Sequence, residues 1–195
     1  MNDLSGTYAL DVITTPSPQH PEPAIRNIAV LLQASFRALP WQDEEETVRA
    51  VSEWFGQRRA HVTAYDDGSL VGYATAAPMD GFDIWRMDWM AVAPEYRGRG
   101  LGVAVLRRLE QHAHSEGART FLTSVGDDGA MASTSLWGKN LFEPDVLHHL
   151  GQLQELRPYA LGFYRHAGYS VVGVLPDANG PGMPEILLAR SLAGI

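Results

Sequence analysis

Apolar residues Ile25, Ile28, Ala29, Leu31, Leu32 and Phe36 recur at helical spacing and predict a helix that Pro40 stops. Upstream, residues 8–13 read as a strand. Pro16, Pro18, Pro21 and Pro23 predict a loop between the two. A second helix is predicted toward Phe55 and Gly56. Asp43 is its N-cap, and Glu44, Glu45 and Glu46 occupy a first turn where the helix dipole favours negative charge. Two strands follow, about 60–66 and 69–77, joined by the hairpin signal Asp66-Asp67-Gly68-Ser69. A longer strand spans about 83–92. Alternation sets Ile84, Arg86, Asp88, Met90 and Val92 on one face and Trp85, Met87, Trp89 and Ala91 on the other.

A helix over about 101–115 stacks Leu101, Val105, Leu109 and Ala113, with Leu106 alongside, and Gly117 ends it. Residues 119–125 read as a strand. Residues 131–139 read as irregular, and 143–156 carry Val146, Leu147, Leu150 and Leu153 at helical spacing. A short helix from Pro158 holds Leu161, Phe163, Tyr164 and Ala167, and strands at about 169–175 and 184–191 complete the chain. This order predicts one α/β domain over residues 1–195, with a mixed central sheet of about seven strands flanked by helices.

Composition narrows the function classes. A chain of 195 residues with 45% apolar content can bury a full core. It has no cysteine, so disulfides, a thiol nucleophile and Cys-metal sites are excluded. No apolar run approaches the ~20 residues of a membrane span. The first residues lack a secretion signal, so the expected location is cytoplasmic, with no membrane partner. The net charge of −8 argues against nucleic acid as a partner and favours a cationic small molecule. His148-His149 lacks a further ligand at i+4, so no metal is expected and both read as exposed helix surface.

Candidate chemistry concentrates after the long strand, in Tyr96-Arg97-Gly98-Arg99-Gly100-Leu101-Gly102. A strand, a basic glycine loop and a helix N-terminus form a main-chain anion site, because successive N–H groups converge on one point. Val103 and Val105 exclude the Rossmann fingerprint, and the G-K-[ST] of a P-loop is missing. The pattern present is R-x-x-G-x-G, with Arg97, Gly100 and Gly102. It resembles the acetyl-CoA pyrophosphate loop of the GNAT N-acetyltransferase superfamily.

Further stretches carry the same resemblance. Phe163-Tyr164-Arg165-His166-Ala167-Gly168-Tyr169 resembles the F-Y-x-x-x-G-[FY] segment of these enzymes. Residues 172–180 and 184–190 resemble the C-terminal segment of bacterial aminoglycoside 6′-N-acetyltransferases. Asp127-Asp128, Thr134-Ser135-Leu136 and Pro158-Tyr159 match that subgroup's insertion.

The resemblance implies acetyl transfer from acetyl-CoA, as co-substrate, to a primary amine by direct attack in a ternary complex. It sets the pyrophosphate on the amides of Gly98, Arg99, Gly100, Leu101, Gly102 and Val103, with Arg97 and Arg99 as charge partners. The Met90 N–H would hold the thioester oxygen, and the Ala91–Val92 main chain the pantetheine arm. Tyr164 matches the general acid that protonates the departing thiolate, beside the cofactor. The subgroup carries a glutamate where this chain has Arg86 and a histidine where it has Asp88. Asp88 is therefore expected to orient or deprotonate the amine, with pairing to Arg86 alone as the alternative. Asp127 and Asp128 would bind a substrate ammonium or serve a turn. Relatives in the subgroup often pair as dimers, which suggests a homodimer. A protein or peptide amine acetyltransferase and a CoA-binding module without transfer remain the competing readings.

Overall fold

The computed structural model describes residues 8–15, 22–36, 40–41, 43–126, 133–157 and 160–194. Seven strands form one sheet in the order β1-β2-β3-β4-β5-β7-β6. They are β1 (Ala9–Thr15), β2 (Arg59–Asp66), β3 (Ser69–Pro78), β4 (Ile84–Val92), β5 (Thr120–Gly126), β6 (Ser170–Leu175) and β7 (Glu185–Ser191). The helices are α1 (Glu22–Ser35), α2 (Glu44–Phe55), α3 (Leu101–Ser115), α4 (Val146–Gly151) and α5 (Ala160–His166). This is the expected α/β fold with a seven-stranded mixed sheet. By compactness the chain divides into two units, residues 1–121 with 192–195, and residues 122–191.

In the first unit β1, β2, β3 and β4 pair antiparallel in sequence. The β2–β3 turn places Asp67 at φ 46° and Gly68 at φ 77°. Two consecutive positive φ values give the turn whose twist matches a hairpin, as the Asp-Gly pair predicts. Asp43 accepts the Glu46 amide at 2.8 Å and caps α2 as expected. Helix α1 starts earlier than its apolar spacing suggests. Pro23 lies in its first turn, where a missing N–H costs nothing, so this proline opens the helix rather than lengthening the loop.

The two faces of this sheet are covered differently. Gly72 on β3 abuts Val105 and Leu101 of α3, and a Cβ there would lie 3.3 Å from Val105. On the same side Trp85 meets His112 of α3 edge-on at 5.5 Å. The opposite face receives α1 and α2. Phe55 stacks on His61 at 4.1 Å, and Trp54 stacks on Trp89 at 6.1 Å. Leu101, Val105, Leu106, Leu109 and Ala113 of α3 are all buried, as the i+4 stack requires. Burying each large side chain contributes about 1.5–3 kcal/mol.

One expectation for β4 fails from Asp88 onward. Ala76 pairs with Met87 and Thr75 with Trp89, which leaves Asp88 as the surplus residue of a β-bulge. Directly paired residues share a face. Arg86, Trp89 and Ala91 therefore lie with Ala77, Thr75 and Tyr73, on the α1–α2 side. Trp85, Met87 and Met90 lie with Pro78, Ala76 and Ala74, on the α3 side. Strict alternation puts Met90 beside Arg86 and Trp89 beside Met87; the extra residue reverses both.

In the second unit β6 and β7 form an antiparallel pair with an irregularity between Val171 and Gly173. The helix expected over 143–156 contracts to the six residues of α4, capped by Asp145, which accepts the His148 amide at 2.8 Å. Thr134 and Glu155 form an isolated antiparallel bridge. No helix among the described residues is long and apolar enough to cross a membrane.

Candidate active site

The glycine loop forms as the sequence implies. A short 3-10 turn, Pro94–Tyr96, leaves β4, and α3 begins at Leu101. Gly98 has φ 72° and Gly100 φ 87°, a region L side chains avoid. Gly100 is the N-cap of α3 and brings no side-chain cap. Its carbonyl takes the Ala104 amide at 3.0 Å, so the helical ladder starts there. The amides of Leu101, Gly102 and Val103 precede that ladder and have no partner within the helix. Uncapped donors at the positive end of a 15-residue helix are suited to a phosphate.

The arginines of the loop differ in role. Arg97 donates from Nε to the Val92 carbonyl at 2.9 Å, which ties the loop back to the end of β4. Val92's carbonyl, expected to face the pantetheine arm, is thereby engaged by a guanidinium. Arg99 lies over the Tyr96 ring at 5.8 Å, and the Tyr96 hydroxyl donates to Asp66 at 2.7 Å. That carboxylate beside it raises the Tyr96 phenol above its ordinary value. Both arginines and both turn glycines, Gly98 and Gly100, are exposed.

Along β4 the side chains gather into a charged cluster. Asp88 accepts from Arg59 Nη1 at 2.6 Å on Oδ2 and from Arg86 Nε at 2.9 Å on Oδ1. The contact with Arg86, given above as the alternative role of Asp88, is present. Arg59, at the start of β2, is a second partner the sequence offered no sign of. Asp88 and Arg59 are mostly buried, at 17% and 12% side-chain exposure, whereas Arg86 is 57% exposed. Arg59 also lies over the Trp54 ring at 5.8 Å. Beyond it Trp54, Trp41 and Phe36 surround Trp89, with ring centroids 6.1, 5.2 and 5.3 Å away. All four rings are half-buried.

Beneath the cluster is a buried polar network. His61 Nδ1 and the Tyr73 hydroxyl share a hydrogen bond of 2.8 Å, and both residues are fully buried. The Thr15 hydroxyl donates to the Gln57 carbonyl at 2.6 Å. Burial raises the Tyr73 phenol well above its ordinary value, so Tyr73 stays neutral. His61 has no motif context in the sequence, so only three-dimensional packing gives it a role.

In the second unit Tyr164 lies on α5, 7% exposed, against Phe163 at 5.0 Å and Tyr169 at 5.5 Å. Burial pushes its phenol up to about 12, offset in part by a hydrogen bond with Thr123. A phenol so placed holds its proton throughout the neutral range. Tyr169 is buried, in keeping with packing. His149 is buried rather than exposed, and its Nε2 donates to the Glu143 carbonyl at 2.8 Å, whereas His148 beside it on α4 is exposed as expected. Asp127, Asp128 and Pro158-Tyr159 lie outside the described residues. No group of three or more His, Cys, Asp or Glu fit for a metal occurs among the described residues.

Known proteins with this arrangement point one way. Aminoglycoside 6′-N-acetyltransferase complexed with coenzyme A superposes with a TM-score of 0.79 and 27% identity over 94% of this chain and 98% of that one. The enzyme of that description from Enterococcus faecium gives a TM-score of 0.78 and 26% identity over the same shares. Among curated proteins, the uncharacterized N-acetyltransferase YobR of Bacillus subtilis is 35% identical over 85 residues, 44% of this chain and 33% of its own length. Phosphinothricin N-acetyltransferase of Alcaligenes faecalis is 30% identical over 106 residues, 53% of either protein. The chain thus matches about half or less of the length of these curated relatives. Residues 25–141 match the acetyltransferase (GNAT) family, and with the loop, helix and strand in place, the chain belongs to that family.

Proposed function

We propose that the chain works as one N-acetyltransferase domain that moves an acetyl group from acetyl-CoA to the primary amine of a small acceptor. The observation that carries this reading is the uncapped N-terminus of α3 behind two positive-φ glycines. The coenzyme A complex of a similar fold supports it. The pyrophosphate rests on the amides of residues 98–103, with Arg97 and Arg99 nearby in charge. The amine nitrogen attacks the thioester carbonyl, the C–N bond forms, and charge on the carbonyl oxygen is met by the Met90 N–H. The C–S bond then breaks, and Tyr164 gives its proton to the thiolate; its neutral phenol supports that role. Asp88 orients the amine, and the amine's proton leaves through water, since both carboxylate oxygens already accept from guanidinium groups. Asp127 and Asp128 act on the acceptor's ammonium.

That double engagement of Asp88 favours one other reading, a CoA-binding module without transfer. Calorimetric titration with acetyl-CoA followed by thiol release across a panel of amines separates the two. Binding with amine-dependent thiol release is expected. Tight binding with no release from any amine leaves the module, and no binding removes both.

A further inference from the structure

The molecule as a whole is acidic, but its β4 surface is not. Asp88 carries one negative charge between two guanidinium groups, which leaves the Arg59–Asp88–Arg86 cluster with a surplus positive charge. Arg86 holds Asp88 through Nε, and more than half of its side chain is exposed. Its fork of terminal nitrogens suits a carboxylate or phosphonate. The bulge at Asp88 brings Trp89 to the same face as Arg86. From Asp88 the contacts run unbroken through Arg59 and Trp54 to Trp89, Trp41 and Phe36. An exposed arginine and Trp89, with the half-buried indoles packed on it, therefore share one side of β4.

We propose that the acceptor is an amine that also carries an anionic group and an aromatic or extended apolar body. The anion pairs with Arg86 and the body lies on the Trp41–Trp54–Trp89 wall. This rests on the acetyltransferase reading above and names its substrate class. A polycationic acceptor is disfavoured, because the first charge it meets on β4 is Arg86, and like charges at close range repel. The aromatic cluster alone would be an ordinary patch of packing. What makes it a recognition surface is its continuity with a guanidinium that the fold leaves exposed.

Two measurements test this. In the first, thiol release from acetyl-CoA is followed with L-phenylalanine, 2-phenylethylamine, L-alanine and spermidine. L-Phenylalanine should exceed each of the others in kcat/KM by roughly tenfold or more, the worth of one charged hydrogen bond or one buried ring. The order should invert toward spermidine in Arg86→Glu, at a position more than half exposed; a denaturant midpoint beside the parent's checks that the carboxylate set next to Asp88 leaves the fold intact. In the second, 3-phenylpropanoate, which has no amine, is titrated while indole fluorescence is read. Saturable quenching is expected in the parent protein, with affinity at least about tenfold weaker in Arg86→Glu. Preference for spermidine in the parent protein, or equal quenching in both proteins, overturns the proposal. Failure to bind acetyl-CoA would remove the acetyltransferase reading and with it the acceptor's role, while the fluorescence titration would still decide whether Arg86 and the indoles bind an aryl anion.

Discussion

The loop before α3 and the cluster on β4 belong to the same unit, yet they are built from different material. The loop is main chain: glycines at φ 72° and 87°, and helix amides that no side chain caps. The cluster is side chains: a carboxylate, two guanidinium groups and four aromatic rings drawn from β4, β2, α2 and the segment after α1. A main-chain site fixes a group that every reaction cycle repeats. A side-chain site can be altered one residue at a time while the main chain stays in place.

Substitutions can break this division of labour. The largest effect belongs to a group outside both regions. Tyr164→Phe should lower turnover by ~10²–10⁴ with acetyl-CoA affinity intact, checked by steady-state kinetics beside calorimetry. It should also flatten the alkaline limb of stability. The buried phenol titrates near 12 instead of 10.0, so its contribution is complete below pH 10 and is lost as pH rises toward 12. A melting series across that range reads it.

Next comes the loop. Gly100→Ala forces a side chain to φ 87°, a strain of about 1–3 kcal/mol; a free loop that shifts to relieve it must be restored on binding, so acetyl-CoA should bind more weakly, by up to roughly 150-fold. Every acceptor should be affected alike; an acceptor-dependent loss would dissolve the distinction between the two regions. Asp88→Asn leaves two guanidinium groups without their carboxylate. Stability should fall by about 1–3 kcal/mol, less than for a fully buried pair because Arg86 is exposed, as denaturant midpoints would show. If Asp88 orients the amine, turnover should fall at every pH with acetyl-CoA affinity intact; a loss greatest at low pH, where free amine is scarce, would make Asp88 the group that takes the amine's proton, and unchanged turnover would confine it to structure.

The smallest effect tests the α3 side. Burial against Trp85 holds the His112 imidazole below its ordinary 6.5, although Glu116 pulls the other way. The unfolded chain therefore takes up the proton first, and stability should decline as pH falls through that value. His112→Gln should remove the slope without altering acceptor preference.

The same contrast explains what the sequence discloses. The loop, the Asp43 cap, the Asp67-Gly68 hairpin and the stacked α3 face are all local, each written within a few consecutive residues. Asp88 and Arg86 lie on one strand, so their pairing could be anticipated as well. Arg59 lies 29 residues from Asp88 and meets it only because β2, β3 and β4 are neighbours. Phe36, Trp41 and Trp54 reach Trp89 through tertiary packing, which periodicity does not report. The bulge has no sequence marker either: Asp88 reads as one more alternating position until pairing with β3 reveals it as surplus.

That surplus has an evolutionary consequence. Position 88 lies outside the residue-for-residue pairing of β3 with β4, so a lineage can exchange it while the strands on either side keep their partners.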